Sequence, residues 1–262
     1  MTNTPMTVLV VGATGSIGRL VVAEAIAQGH TTRALVRTPS KAEQLPPQAQ
    51  IVVGDVTAPY TLPQAVAGVD AIVLALGSDG TGRSGPEGVD YGGVRNILTA
   101  LGARTARIAL MTSIGVTTRT SSYGHLLEWK RRSERLVRAS GLPYTIVRPG
   151  WFDMNGPDEH RLTFLQGDTR RSGGPSDGVI DRRQIAEILV DSLTSPHAVR
   201  RTFELVAEAG PAPADLEPLF AALEQDAPDA LDAVRDEANM PIQDEPQQVR
   251  DDLHDLTVRR AM

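Results

Sequence analysis

Apolar and polar positions along the chain change period in a regular alternation. Thr7 to Val11 is a short run rich in β-branched residues, which predicts a strand buried on both faces. From Ser16 to Gln28 the apolar residues Ile17, Leu20, Val21 and Ala25 fall at helical spacing, and Gly29 suits a C-cap. Strands are predicted at Thr31 to Val36, at Ile51 to Val53 and, after a turn at Gly68, at Ala71 to Ala75. A helix over Asp90 to Leu101, a strand over Arg107 to Met111, a helix over Gly124 to Ala139 and a strand over Tyr144 to Val147 continue the series. Strands alternating with helices form βαβ units, hence a doubly wound parallel sheet with helices on both faces.

Beyond Pro149 the pattern loosens. Met154 to Gly178 is rich in Gly, Pro, Arg and Asp and reads as loop or lid; a helix over Asp181 to Leu193 and a strand over Thr202 to Val206 follow. Ala209-Gly210-Pro211-Ala212-Pro213 is a linker signal. After it come two or three acidic helical segments broken by Pro228, Pro241 and Pro246. The chain thus divides into a sheet-containing unit, residues 1–207, with a small substrate region at 151–180, and an acidic helical extension, residues 208–262.

Charge sharpens that division. The 262 residues carry a net charge of −6. Residues 208–262 hold 14 acidic and 4 basic residues, a net of −10, while residues 1–207 hold 22 basic and 18 acidic, a net of +4. A mildly basic body suits a phosphate-bearing ligand, and the acidic tail argues against nucleic acid as the partner. The tail charges read as a solvated face. Leu219, Phe220, Leu223, Leu231 and Val234 call for burial, on the body or on a second subunit, which leaves a homodimer open. The absence of cysteine excludes disulfides and thiolate chemistry and fits a reducing cytoplasm. No stretch has the length of a membrane span, the start lacks a secretory signal, and the histidines His30, His160, His197 and His254 lack metal-ligand spacing.

The segment Gly12-Ala13-Thr14-Gly15-Ser16-Ile17-Gly18 carries the first chemistry. A buried-type strand precedes it and an amphipathic helix begins inside it. In that context Gly12 permits a tight turn, Gly15 lets the backbone approach a ligand, and Gly18 lets the helix pack on the sheet. The helix N-terminus then offers unpaired N–H groups to a pyrophosphate.

Further segments join it: Ala34-Leu35-Val36-Arg37, Gly54-Asp55-Val56, Val89-Asp90-Tyr91-Gly92-Gly93-Val94, Met111-Thr112-Ser113-Ile114-Gly115, Val147-Arg148-Pro149-Gly150 and Ile180-Asp181-Arg182. Taken in order, they make the first 205 or so residues resemble the atypical short-chain dehydrogenase/reductase superfamily, close to its NmrA-like and NAD(P)H-binding branches. The resemblance implies a Rossmann-type fold and a dinucleotide held by Gly12, Thr14, Gly15, Ser16, Ile17 and Gly18. It implies adenine contacts from the Asp55 carboxylate and the Val56 backbone, and an adenine-ribose loop at Ala75, Leu76 and Gly77. Arg37 stands where an acidic residue would hold the ribose of NAD. Its donor fork favours NADP(H) over NAD(H), with Arg33 and Lys41 as possible helpers or plain surface charges.

For catalysis the resemblance implies Ser113 as a substrate-carbonyl donor and Lys130 as a ligand of the nicotinamide ribose, against its alternative as a surface lysine of a basic helix. The usual tyrosine, four residues before the lysine, is replaced by Leu126. Tyr123 and His125 are the substitutes for its acid/base role, with packing as the other reading of each. Pro149, Gly150, Trp151 and Phe152 would pass beside the nicotinamide. Arg148, Arg161, Arg170 and Arg171 would favour an acidic substrate, or serve only as solubilising charges. Three functions stay open: an NADP(H)-dependent reductase of a small carbonyl, enone or quinone-like compound; a dinucleotide-sensing regulator of NmrA type; and a cofactor-assisted epimerase or lyase.

Overall fold

The computed structural model describes residues 4–78, 85–119 and 123–261. Strands β1 (Thr7–Val11), β2 (Thr31–Val36), β3 (Gln50–Val53), β4 (Ala71–Leu74), β5 (Arg107–Met111), β6 (Tyr144–Pro149) and β10 (Arg201–Glu208) pair in parallel in the order β3-β2-β1-β4-β5-β6-β10. Every residue of Val8–Val11 is fully buried, as expected for an unbroken apolar run in a sheet covered on both faces. Side chains alternate between two apolar layers: Val8 and Val10 point to one, Leu9 and Val11 to the other. The first layer is closed by α1 (Gly18–Ala27), α4 (Arg182–Thr194) and α5 (Glu217–Ala222). The second is closed by α2 (Gly92–Leu101), α3 (Gly124–Ala139) and α6 (Gln247–Ala261).

Three elements depart from the sequence reading. The stretch read as loop or lid contains β8 (Arg161–Leu165), antiparallel to β10, and β9 (Val179–Ile180), which pairs β10 and the two-residue β7 (Trp151–Phe152). Pairing supplied by a partner strand about 40 residues away overrides its loop-like composition. The helix expected from Asp90 begins with a π turn, Glu87–Tyr91, before α2 proper.

The tail is the third departure. It contains α5 and α6, but the residues between are mostly irregular, with positive φ at Asp229 (65°) and Arg235 (66°). Phe220 anchors its start in a ring cluster, 5.4 Å from Phe164 and 6.1 Å from Phe203. The chain then crosses to the other face, where Val249, Leu253 and Leu256 of α6 are buried in the second layer. Its charges are a solvated face only in part. Asp215, Glu224, Asp229, Glu237, Asp244, Asp251 and Asp255 are exposed, but Asp226 and Glu245 are buried, and so is the carboxylate of Asp236.

Their partners lie on α3. Lys130, Arg131, Arg132, Glu134, Arg135 and Arg138 are all buried, which rules out the alternative of Lys130 as a surface lysine of a basic helix. Glu245 lies 2.6 Å from both Arg132 and Arg135, and Asp232 lies 2.8 Å from Arg135 and 3.1 Å from Arg131. Arg148, buried completely, is held by Asp236 and Glu134 at 2.7 Å each and by Glu204 at 3.2 Å. Arg148 therefore belongs to this ion network and not to a substrate pocket. The negative tail and positive body are two sides of one interface.

Candidate functional site

At the carboxyl ends of β1 and β4 the strand order reverses direction, the place where open α/β sheets bind ligands. Gly12 ends β1 with φ +86°, and a Cβ there would stand 2.9 Å from the carbonyl carbon of Ala75. A Cβ on Gly18 would stand 2.7 Å from the carbonyl carbon of Gly12. Only glycine lets the turn, β4 and the first turn of α1 meet this closely. The N–H groups of Ser16 and Ile17 find no acceptor among the described residues, while that of Gly15 closes the turn on Gly12 at 2.9 Å. Such a cradle fits a pyrophosphate: close main-chain approach, two open donors and the positive end of a helix.

The neighbouring positions follow the sheet edge. Asp55 receives Thr57 on Oδ1 through its N–H at 2.9 Å and its hydroxyl at 2.8 Å. The carbonyl of Val56 accepts from Asn96 at 2.7 Å, but its N–H has no acceptor among the described residues, as an adenine contact would need. Arg37 is exposed just past β2 with no protein partner among the described residues, and Lys41 is likewise exposed. Arg33 is not available to help: its guanidinium caps the carbonyls of Ala65 and Ala67 at 2.8 Å each.

Next to this edge, beyond Leu76, Gly77 and Ser78, opens a cleft of about 660 Å³. It gathers Ser113 from the loop after β5, Tyr123, Leu126 and Lys130 from α3, and Pro149, Gly150, Trp151 and Phe152 from the turn after β6. Arg171, Ser172, Gly173 and Asp177 also line it. The three proposed catalytic positions, Ser113, Tyr123 and Lys130, thus share one cleft. Tyr123 sits at the N-cap of α3 with its ring edge-on to Trp151, centroids 6.4 Å apart. Leu126 lines the cleft where the usual tyrosine would stand. His125 is exposed and packs edge-on against Trp129 at 6.3 Å, outside the cleft lining.

Ser113 donates its hydroxyl to the carbonyl of Ile114 at 3.0 Å. Its loop is pinned by Asp168, whose carboxylate accepts from the N–H groups of Gly115 (2.6 Å) and Thr117 (2.7 Å). Asp168 is fully buried with φ 48°, and its own N–H reaches Glu204 at 3.1 Å. Burial lifts the Glu204 carboxyl to about 7 against the pull of Arg148, with Asp168 adding to the rise. Burial also raises Glu134, but Arg148, Arg138 and the Thr112 hydroxyl outweigh it and hold that carboxyl at about 2. The ion network therefore reaches the cleft wall at Thr112.

Among the arginines expected to greet an acidic substrate, Arg161 and Arg170 pair with Glu208, at 3.1 and 3.5 Å. Arg171 touches the cleft, but it is bound to Glu237 at 2.6 Å. Two functional-looking residues had no claim from the sequence. Asp168 offered no local signal. Asp90, one residue of the Val89–Val94 segment, holds Lys130 at 2.7 Å.

The reversal point, the glycine cradle and the adjoining cleft define a dinucleotide-binding α/β protein of the atypical short-chain dehydrogenase/reductase type. Residues 12–196 match the NAD(P)H-binding family, and the chain belongs to that family. It is 27% identical over 261 residues to sanguinarine reductase of Eschscholzia californica, across 82% of this chain and 95% of that protein. It is 29% identical over 206 residues to the photosystem II assembly factor Ycf39 of a Synechocystis species, across 77% of this chain but only 62% of that protein. A Bacillus halodurans structure described as a candidate NAD-dependent epimerase/dehydratase superimposes with a TM-score of 0.69 at 25% identity, over 82% of this chain and 98% of that one. Among the described residues no helix is long and apolar enough to cross a membrane.

Proposed function

We propose that the protein is an NADP(H)-dependent reductase of a small carbonyl, enone or quinone-like compound. The observation that carries this reading is the convergence of Ser113, Tyr123, Lys130 and Trp151 on one cleft beside the glycine cradle. NADPH bound there would supply a hydride to the substrate. The chain's own contribution is placement and exclusion of water. Ser113 would exchange the Ile114 carbonyl for a substrate carbonyl, and Trp151, Phe152 and Leu126 would hold an apolar ring system away from solvent. Lys130 retains two N–H donors beyond the one given to Asp90, enough for a pair of ribose hydroxyls. Tyr123 is the proposed proton donor, because its ring lies in the cleft and His125 does not. Arg37, unengaged at the end of β2, supports a preference for the 2′-phosphate of NADPH. The likeness to sanguinarine reductase over nearly that protein's whole length favours turnover.

A second reading, a dinucleotide sensor that binds without turnover, is favoured by one observation: the cleft presents Leu126 in place of the tyrosine. NADPH consumption across a panel of quinones and enones separates the two. Oxidation that falls in Ser113→Ala supports the reductase. Tight binding with no oxidation by any acceptor supports the sensor.

A further inference from the structure

Lys130 is buried, yet it is not left to find its charge partner in a ligand. Its Nζ lies 2.7 Å from Oδ1 of Asp90, and both side chains are almost wholly enclosed, at 10% and 2% exposure. The second oxygen of Asp90 turns the other way and accepts from the N–H of Ser78 at 3.0 Å and from its hydroxyl at 2.6 Å. One carboxylate therefore ties the main helix of the cleft to the stretch that leaves β4 toward the cofactor edge. The π turn Glu87–Tyr91 delivers it, and widened turns of this kind are frequent at functional sites.

Resting on the reading of Lys130 as a cofactor ligand, we propose that Asp90 is a positioning residue for the dinucleotide. Its ion pair fixes the Lys130 ammonium and leaves two donors for the ribose, and it locks Ser78 so that the Leu76–Ser78 stretch is preshaped before the cofactor arrives. An enclosed ammonium without a counter-ion is costly, and a flexible stem with no fixed partner is a poorer ribose ligand. Most other charged and titratable groups on the elements around α3 are committed elsewhere, and Glu87 of the π turn lines a separate hollow with Arg95. Tyr91 of the π turn and Arg95 of α2 reach Asp252 of α6, and Glu245 holds Arg132 and Arg135. Arg107 of β5 reaches the carbonyls of Ser192 and Ser195; Tyr144 and Arg148 of β6 reach Asp226 and Asp236. Among the described residues, Asp90 is the carboxylate within ion-pair distance of Lys130.

The test is fluorescence titration of NADPH against wild type, Asp90→Asn, Asp90→Glu, Lys130→Met and the double variant Asp90→Asn/Lys130→Met, with circular dichroism as the check on folding. Asp90→Asn is expected to bind about 10- to 100-fold more weakly. Asp90→Glu, which keeps the carboxylate, should recover most of that loss. The double variant should bind no worse than Lys130→Met, since the two residues act as a unit. Should Asp90→Asn alone fail to fold, the double variant, which leaves no unpaired charge, is expected to fold. Wild-type affinity in Asp90→Asn, no recovery in Asp90→Glu, losses that multiply in the double variant, or a double variant that does not fold would each overturn the proposal. Binding is read without turnover, so failure to oxidise NADPH would sink the reductase reading and leave this one standing.

Discussion

At the β1–α1 turn the protein meets its ligand with main chain, whereas at the interface between α3 and the tail it closes on itself with side-chain charge. The turn depends on what is missing: without a Cβ at Gly12 and Gly18, three backbone segments come within contact of one another, and two N–H groups stay open. The interface depends on what is present, five buried arginines matched to Glu134, Glu204, Asp226, Asp232, Asp236 and Glu245. Each fails differently. A crowded turn loses ligand binding first, because the open donors move. A broken ion network loses the fold first, because an uncompensated buried charge costs several times what an exposed pair contributes.

The sharpest way to break the comparison is at Glu245, which bridges two buried guanidiniums. Glu245→Gln is expected to lower unfolding free energy by about 3–5 kcal/mol in urea denaturation, with NADPH affinity of the folded fraction unchanged. Gly18→Ala should do the reverse in kind. Its Cβ meets backbone, so NADPH affinity should drop roughly 100-fold, about 2.7 kcal/mol, with a smaller loss of stability.

Glu204 extends the comparison to pH. Its carboxyl is raised in the folded protein from 4.5 to about 7, so the folded state binds the proton more tightly than the unfolded one. The resulting stability is full below pH 4.5 and is lost as pH rises through about 7. Glu204→Gln should flatten that decline, on the order of 2 kcal/mol, in melting curves taken across the window. Glu134 has the opposite sign: held at about 2, it stabilises above its ordinary 4.5 and that contribution disappears as pH falls through about 2. The smallest effect is expected at Arg37. Arg37→Ser should weaken NADPH by about 1.5 kcal/mol, some tenfold, and leave NADH unchanged.

The two regions also differ in how far they could be read from sequence. The β1–α1 turn is local: the twelve consecutive residues 7–18 carry the strand, the glycines and the helix start, so turn geometry and ligand class follow from them. The run of βαβ units was legible for the same reason, since each strand and helix shows its own period. The ion network is not local. Arg135 and Glu245 lie 110 residues apart, and Arg148 and Asp236 lie 88 apart. The charge imbalance between residues 1–207 and 208–262 was visible, but nothing in it revealed that the charges are buried together. Basic residues along α3 look like a solvated face until the acidic strand of chain that covers them is placed. Asp168 was hidden likewise, because its partners Gly115 and Thr117 stand more than 50 residues earlier. In the cleft, Ser113 and Lys130 came from motif position, whereas the packing of Tyr123 on Trp151 is a tertiary fact.

The central claim is that one edge holds the dinucleotide and feeds it into the Ser113–Trp151 cleft while the tail stays closed on α3. A structure of the NADPH complex tests this most directly. The expected result places the pyrophosphate on the Ser16 and Ile17 N–H groups, the 2′-phosphate at Arg37, and the nicotinamide between Ser113 and Trp151, with Glu245 still on Arg132 and Arg135. A nicotinamide lying outside the cleft, or a tail displaced from α3 by the cofactor, would contradict it.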